Sequence, residues 1–310
     1  MDKLSPIIQE VEKAVTGKRE VIEGVLMALL CRGHVLLDDV PGVGKTTLAL
    51  ALSRSLGLRY RRIQFTPDVL PSDVVGFSMV DRQTGALRFV PGVLSGTNLL
   101  LGDEINRTSS KTQSALLEAM EENQITVDGQ AHPLEQPFCV IATQNRVGTA
   151  GTQPLPQAQM DRFLVQLSLG YPDHDSEMAI LRDRTLGDPL QQVRQAASVE
   201  EVLHLQDEAM QTAISDHMLD YITRLCAASR EDPALSLGIS PRGALSVSRM
   251  ARACACVRGR DYVIVEDVQQ VFLPTCAHRV LLSPKARMEG NSAQAVLQAI
   301  VRQVKLPHGI

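Results

Sequence analysis

Residues 34–52 read HVLLDDVPGVGKTTLALAL. An apolar run leads into two glycines, Gly42 and Gly44, and a helical pattern of apolar residues follows them. Lys45 and Thr46 complete the tripeptide G-K-T, in which the lysine contacts the outer phosphates of a nucleotide and the hydroxyl ligates Mg²⁺. Backbone N–H groups at the start of a helix favour a bound anion. The stretch therefore predicts a phosphate-binding loop between a strand and a helix.

The loop departs at one position from the usual expression G-x-x-x-x-G-K-[ST]. Asp39 stands where that expression has its first glycine, and Asp38 precedes it. An aspartate tolerates a tight turn when its carboxylate accepts hydrogen bonds from nearby backbone N–H groups. We therefore expect both carboxylates to point away from the phosphates, with that of Asp39 bonded locally.

A pair of acids downstream supports the same site. The sequence NLLLGDEINR places Asp103 and Glu104 at the end of another apolar run. The first acid can hold Mg²⁺ through water, and the second can orient the water that attacks the γ-phosphate. A phosphotransferase would instead exclude water and admit a second substrate, so the acid pair favours ATP hydrolysis.

Three further polar residues fit a nucleotide site. Asn145 ends the apolar run of CVIATQN, and Arg162 ends PLPQAQMDRF just before another apolar run. Arg242 stands in the first turn of a helix that Ser240 is expected to cap. Because a helix dipole disfavours a cation at that end, we expect Arg242 to have an anionic partner. An ordinary salt bridge remains the alternative role for each arginine.

The order of apolar runs indicates an α/β fold. Up to about residue 170, runs that are apolar almost throughout alternate with helical segments, as in a parallel sheet covered on both faces. We predict strands over His34–Leu37, Arg62–Phe65, Asn98–Leu101, Phe138–Ala142 and Phe163–Leu167. A hairpin insertion is expected at about residues 77–90.

The chain changes character after residue 172. The remainder reads as helices, apart from a strand-like run at Tyr262–Val265. We therefore expect an α/β nucleotide-binding core over residues 1–172, with a parallel five-stranded sheet, and a small helical lid domain over residues 173–310.

Composition excludes several other classes of protein. The chain has 310 residues, a net charge of −4, 3% aromatic residues and no tryptophan, so nothing global favours nucleic acid or a base-stacking platform. The six cysteines show no C-x-x-C pairing, which favours small core residues over a metal site or disulfides. The apolar runs are too short to span a bilayer, and the N-terminus lacks a signal peptide's apolar segment. We expect a cytoplasmic protein without membrane insertion.

At this point the residues resemble a known family over nearly the whole chain, from about Val15 to Val268. The family is the MoxR group of AAA+ ATPases. The matching stretches are GHVLLDDVPGVGKT, LPSDVVGF, LLLGDEINR, KTQSALLEAMEE, PFCVIATQN, GTQPLPQAQMDRF, SPRGAL and RGRDYVIVEDV. The resemblance implies a P-loop AAA+ core with a helical lid, and ATP and Mg²⁺ as cofactors.

The resemblance also assigns roles to individual residues. Those implied in catalysis are Glu104, Asn145, Arg162 and Arg242, with Arg162 acting as a finger on a neighbouring subunit's ATP and Arg242 as sensor 2. Those implied in nucleotide binding are Val15, Gly17, Gly42, Val43, Gly44, Lys45, Thr46 and Thr47. The magnesium ligands implied are Thr46 and Asp103.

Partners follow from the resemblance as well. Family members look like ring-forming, hexameric and chaperone-like remodellers, which work with a von Willebrand A-domain protein to mature client proteins or insert cofactors or metals. Two alternatives remain open: an ATP-dependent nucleic-acid translocase or initiator, and a nucleotide-gated scaffold. The chain departs from the family pattern at Gly102, Arg146, Gln157 and Pro91–Leu94. Arg146 replaces a usual proline directly after Asn145, which leaves the local geometry there open.

Overall fold

A five-stranded parallel sheet forms the centre of the molecule. The computed structural model describes residues 4–83, 85–145, 153 and 155–307; Arg146 lies outside them, as do the first three and the last three residues. The strands are β1 Val35–Asp38, β2 Tyr60–Gln64, β3 Gly76–Val80, β4 Leu87–Pro91, β5 Leu99–Asp103, β6 Gln124–Val127, β7 Gln130–Pro133, β8 Cys139–Gln144, β9 Val165–Leu167, β10 Leu235–Leu237 and β11 Leu281–Leu282. The central sheet has the order β2-β5-β8-β1-β9.

These five strands are the predicted ones, with every end within two residues of its predicted position. All residues of β1 and β5 are buried, as expected of inner strands covered on both faces. The predicted α/β fold class, with a parallel five-stranded sheet, is confirmed. The parallel arrangement brings the carboxyl ends of β1, β5 and β8 to one edge of the sheet, where the predicted polar residues follow them.

Helices cover the sheet and make up most of the C-terminal half. They are α1 Ser5–Glu12, α2 Arg19–Leu30, α3 Lys45–Ser55, α4 Pro71–Val75, α5 Ser110–Glu122, α6 Gln157–Met160, α7 His174–Leu186, α8 Val199–Gln211, α9 Asp216–Glu231, α10 Pro241–Val257, α11 Val265–Cys276, α12 Pro284–Met288 and α13 Ala293–Gln303, with 3₁₀ turns at Ile105–Arg107 and Pro189–Gln192. In the described part of the chain, no helix is long and apolar enough to cross a lipid bilayer.

Helix α2 joins the sheet to the C-terminal helices. It packs against β9 on one side and against α8 and α10 on the other, so the whole of its second half is buried. Gln206 Nε2 donates a hydrogen bond to the Leu29 carbonyl at 2.7 Å. One cluster of buried apolar residues therefore runs continuously from the sheet into the helical region.

Two hairpins project from the core. Strands β3 and β4 pair antiparallel, with Phe77 opposite Val90, and large apolar side chains of this hairpin are exposed. The second hairpin, β6 with β7, was not predicted. Its turn is Asp128-Gly129, both at positive φ, and Asp-Gly between extended residues is a strong hairpin signal.

The helical region differs from expectation in its few extended residues. The prediction of a strand at Tyr262–Val265 is wrong: Tyr262 forms only an isolated bridge to Ala213, and Val265 begins α11. An antiparallel pair forms instead between the short strands β10 and β11. The predicted division of the chain at residue 172 stays a prediction.

Candidate nucleotide-binding site

The glycine-rich loop lies at the N-terminus of α3. Gly42 and Gly44 adopt φ angles of 83° and 98°, a region that side chains disfavour. A Cβ added at either glycine would meet no atom within 4 Å, so the space beside the loop is open. Helix α3 begins at Lys45, and its free N–H groups and dipole favour an anion there.

Lys45 is held at the mouth of this loop by neutral oxygens. Its Nζ donates to the carbonyls of Asp39 and Val40 and to Asn145 Oδ1, each at 3.2 Å. Burial lowers the pKa of Lys45, while nearby carboxylates, that of Asp39 first, act in the opposite direction. Because these hydrogen-bond partners carry no charge, a phosphate oxygen can replace them with a gain in electrostatic energy.

The two aspartates of the loop bond to residues of the neighbouring strand β9 and of the segment that follows it. The Asp39 carboxylate accepts hydrogen bonds from Ser168 Oγ at 2.7 Å, Leu169 N–H at 2.6 Å and Gly170 N–H at 3.0 Å. Asp38 Oδ2 accepts one from the Gln166 side chain at 2.8 Å. The expectation that Asp39 is satisfied locally is wrong, because its partners lie some 130 residues away, after β9. The loop is therefore anchored to a neighbouring strand end.

Glu104 is held by hydrogen bonds to both carboxylate oxygens. It adopts a left-handed φ of 56° directly after β5, and its N–H donates to Thr143 Oγ1 at 2.9 Å. Oε1 accepts from Asn145 Nδ2 at 2.7 Å. Oε2 accepts from Gln64 Nε2 at 3.0 Å and from Arg107 Nη1 at 2.7 Å. The carboxylate is therefore fixed in orientation and partly neutralised.

Asp103, which directly precedes Glu104, is also held by hydrogen bonds. Its Oδ2 accepts a hydrogen bond from Arg62 Nε at 2.7 Å, and its Oδ1 accepts one from the Thr143 hydroxyl at 3.3 Å. Thr143 thus bridges the two acids, since its oxygen also accepts from the Glu104 N–H. Asn145 makes the corresponding bridge between Lys45 and Glu104.

Two cavities meet at the loop and share four of its residues, Pro41, Gly42, Gly44 and Thr47. The polar one, of about 320 Å³, is lined among others by the predicted residues Gly42, Gly44, Lys45, Thr46, Thr47, Asp103, Glu104 and Asn145. The second, of about 360 Å³, has more apolar walls that include the predicted residues Val15 and Val43. Cavities of this size, with a few polar groups on mostly apolar walls, are typical of small-molecule binding sites.

Gly17 contributes close packing beside the second cavity. Its φ is 71°, and a Cβ added there would lie 2.2 Å from Ser176 Oγ at the start of α7. Beside Gly17, Lys18 Nζ donates a hydrogen bond to the Tyr171 carbonyl at 2.8 Å, and both residues line the second cavity. A side chain at position 17 would therefore be strained and would displace the Ser176 side chain.

The structure does not bring Arg162 and Arg242 to these cavities. Both side chains meet Glu121 on α5: Arg162 Nε lies 3.1 Å from Oε2, and Arg242 Nη2 lies 2.8 Å from Oε1. Arg242 thus has the anionic partner that its place in the first turn of α10 predicts. Arg162 lines a different surface cleft, with Gln159 and residues of α5.

Sequence reasoning missed four residues of these clusters. Arg62 and Gln64 lie on β2, where the register pairs Gln64 with Asp103; alternation along a strand puts them on one face, but the register is not visible in the sequence. Arg107 follows Glu104 by one helical turn, a spacing that predicts the ion pair. Glu121 gives no sequence signal, because it meets its two arginines only through tertiary packing.

Comparisons with known proteins agree with this geometry. The profile of the ATPase family associated with various cellular activities matches residues 34–165, and that of an AAA lid domain matches residues 227–300. The chain is 44% identical over 304 residues to the uncharacterised protein YeaC of Bacillus subtilis, covering 98% of this chain and 95% of that one. It is 38% identical over 315 residues to Chaperone MoxR1 of Mycobacterium tuberculosis, covering 98% and 82%.

A solved structure agrees as well. The crystal structure of a protein from Cytophaga hutchinsonii, assigned as an ATPase, superposes with a TM-score of 0.90 at 37% identity, covering 98% of this chain and 94% of that one. Fold, loop and acid pair together define an ATPase of the AAA+ class. Within that class the chain belongs to the MoxR family.

Proposed function

We propose that this chain hydrolyses ATP as one subunit of a ring homo-oligomer and uses the energy for chaperone-like remodelling of client proteins. One observation carries the proposal: Glu104 and Lys45 share the polar cavity, whereas Arg162 and Arg242 lie together outside it. Head-to-tail contacts in a ring bring one surface of a subunit to a different surface of its neighbour. The arginines of one subunit would then complete the site of the next.

Within the polar cavity, each residue has a separate task. Lys45 and the N–H groups of the loop bind the outer phosphates. Glu104 accepts a hydrogen bond from the attacking water and orients it towards the γ-phosphate. Asn145 and Gln64 hold the two oxygens of Glu104, so the carboxylate needs little reorganisation before the reaction.

The donor set of this cavity fits magnesium. Thr46 supplies a hydroxyl and Asp103 a carboxylate, and Mg²⁺ prefers such hard oxygen ligands together with phosphates and water. When bound, the ion neutralises the phosphate charge. Arg62, which bonds Asp103, keeps that carboxylate oriented.

The separated arginines predict that hydrolysis depends on assembly. An arginine supplied by a neighbouring subunit contributes about 10³–10⁵ in rate in other phosphate-loop systems. Isolated subunits of this chain would then turn over ATP very slowly, and the ring, which we expect to be a hexamer, would be the active form.

The β3–β4 hairpin supplies a surface for clients. Its exposed apolar side chains are Phe77, Met79, Val80 and Leu87, which suit contact with unfolded or partly unfolded protein. In the ring the hairpin would face the central pore. We further propose that a von Willebrand A-domain protein is the partner, that cofactor or metal insertion into clients is the work done, and that the cytoplasm is the compartment.

Mixing two inactive variants tests the shared site. Lys45→Ala removes the phosphate contact of a subunit's own cavity, and Arg162→Ala removes the arginine offered to the neighbour. Each variant alone should be inactive, whereas an equal mixture should recover about a quarter of wild-type turnover, because random neighbours pair an intact cavity with an intact arginine that often. A double variant, Lys45→Ala with Arg162→Ala, should rescue neither. A mixture that stays inactive while rings form would contradict the proposal.

The client is addressed by a separate experiment. Glu104→Gln should hold ATP and retain clients on the ring. Co-purification of a defined set of proteins with this variant supports the remodelling role, whereas salt-sensitive capture of nucleic acid that stimulates wild-type hydrolysis would favour a translocase.

A further inference from the structure

A buried arginine of the helical region grips the segment that carries Arg162. Arg279 follows α11, and its side chain is only 2% exposed. Its Nε donates to the Asp161 carboxylate at 2.6 Å, and Nη2 donates to the carbonyls of Asp161 at 3.1 Å and Phe163 at 2.8 Å. Nη1 donates to the Leu164 carbonyl at 3.0 Å. The guanidinium therefore bonds the backbone on both sides of Arg162.

Neighbouring contacts remove the remaining freedom of this segment. His278 Nε2 lies 3.0 Å from the Phe163 carbonyl, and the Gln157 side chain donates to the His278 carbonyl at 2.6 Å. The side chain of Phe163 is fully buried. Arg162, by contrast, keeps its guanidinium on the surface, at Glu121. The backbone around Arg162 is therefore fixed, whereas its guanidinium can exchange Glu121 for another partner.

The same guanidinium of Arg279 also bonds residues of the helical region. Nη2 also donates to Ser246 Oγ on α10 at 3.3 Å, and Nη1 donates to the Thr275 carbonyl on α11. A Cβ added at Gly243, in the first turn of α10, would lie 3.2 Å from Arg279 Cδ. Arg279 thus lies beneath the turn that carries Arg242. The side chain of Arg279 contacts the backbone on both sides of Arg162 and the turn that carries Arg242.

We propose that Arg279 is a positioning residue, which sets the place of Arg162 at the subunit surface and makes it follow the helical region. The proposal rests on the proposed role of Arg162 at a neighbour's ATP. A shift of the helical region against the sheet would move the carbonyls around Arg162 with it. Loss of this grip should therefore impair hydrolysis in the neighbouring subunit and leave ATP binding in the subunit's own cavity intact.

Arg279→Lys tests this with little change in charge. A lysine has one compact ammonium in place of a planar fork, so it cannot serve the same acceptors together. We expect ATP affinity to stay within about twofold and kcat of assembled protein to fall at least about tenfold, because small displacements of a catalytic group cost rates of this order. Arg249→Lys is the matched control: Arg249 also lies in the helical region and bonds a core carbonyl, but that carbonyl belongs to Cys31 and not to the segment that carries Arg162.

Mixing separates positioning from general damage. Arg279→Lys mixed with Lys45→Ala should recover turnover as fully as Arg162→Ala does, because the Lys45→Ala neighbour supplies an intact arginine. Placing Arg279→Lys in the Lys45→Ala chain and mixing it with Arg162→Ala should give no recovery. A purely structural defect in Arg279→Lys would lower the turnover of both mixtures alike. Arg249→Lys, put in place of Arg279→Lys, should lower the turnover of neither mixture.

The outcomes distinguish the two proposals. If Arg162→Ala itself is not rescued by Lys45→Ala, the shared site is wrong. Suppose instead that Lys45→Ala rescues Arg162→Ala. The positioning role of Arg279 is then wrong if Arg279→Lys alone keeps full turnover, or if Lys45→Ala does not rescue Arg279→Lys. Should Arg279→Lys fail to fold in a thermal scan, Asp161→Ala removes the side-chain acceptor of Arg279 Nε and keeps the backbone carbonyl contacts. This variant must then show the same rescue by Lys45→Ala for the proposal to stand.

Discussion

For the variant Asp39→Gly, the P-loop sequence motif and the structure predict opposite results. The change makes residues 39–46 match G-x-x-x-x-G-K-[ST] in full, so on the expression alone the variant should bind nucleotide at least as well as the wild type. In the structure Asp39 is buried, and its carboxylate anchors the loop to Ser168, Leu169 and Gly170. We expect the glycine to destabilise the protein and to weaken ATP binding.

The loss in the free energy of unfolding follows from the three hydrogen bonds that Asp39→Gly removes. A hydrogen bond to a charged group contributes about 1.5–3 kcal/mol, so three contribute about 5–9 kcal/mol. Ser168 is exposed and Gly170 half-buried, but Leu169 is buried, so water replaces only part of what is lost. We expect a net decrease of about 4 kcal/mol in the free energy of unfolding, to which the freedom of glycine in the unfolded chain adds about 0.5–1 kcal/mol.

Urea unfolding and ATP titration measure the two effects. Asp68→Gly is the control, because Asp68 is an exposed aspartate in a turn and should cost under about 1 kcal/mol. If Asp39→Gly is no less stable than Asp68→Gly and binds ATP as tightly as the wild type, the anchoring role of Asp39 is wrong.

Three further predictions concern stability and ATP binding. Burial lowers the pKa of His34 to about 4 and that of His278 to about 3. Between pH 7 and pH 5 only the unfolded chain therefore takes up protons at these histidines. Urea unfolding should show that the free energy of unfolding falls by about 2 kcal/mol for each histidine over this range. Gly17→Val should raise the dissociation constant for ATP, because its Cβ would clash with Ser176 at a positive φ; unchanged binding in a titration would contradict this. Glu121→Gln should change the free energy of unfolding by under about 1 kcal/mol, as loss of an exposed ion pair does, because it removes only the charge that Arg162 and Arg242 share; a larger loss in urea unfolding would contradict this.

The parts of the site that sequence predicts are those set by local signals. An apolar run followed by Gly42, Gly44 and Lys45 specifies strand, loop and helix together. The acids Asp103 and Glu104 follow a second such run, and parallel strands place their carboxyl ends at one edge. These residues accordingly line one cavity.

The parts that sequence does not predict depend on contacts between distant segments. Asp39 finds its partners after β9, and nothing near it in the chain indicates them. Glu121 meets Arg162 and Arg242 only in the folded chain, where α5 lies beside both arginines. Arg279 is one arginine among many in the sequence until burial and its bonds to Asp161 single it out.

In the proposed reaction Glu104 activates water for ATP hydrolysis in the cavity of Lys45. Single-turnover hydrolysis by assembled Glu104→Gln protein, with ATP binding measured in parallel, tests this role. We predict wild-type affinity for ATP and hydrolysis slowed at least about 100-fold, since an amide cannot accept the proton of the attacking water. Hydrolysis by Glu104→Gln at the wild-type rate would contradict the account.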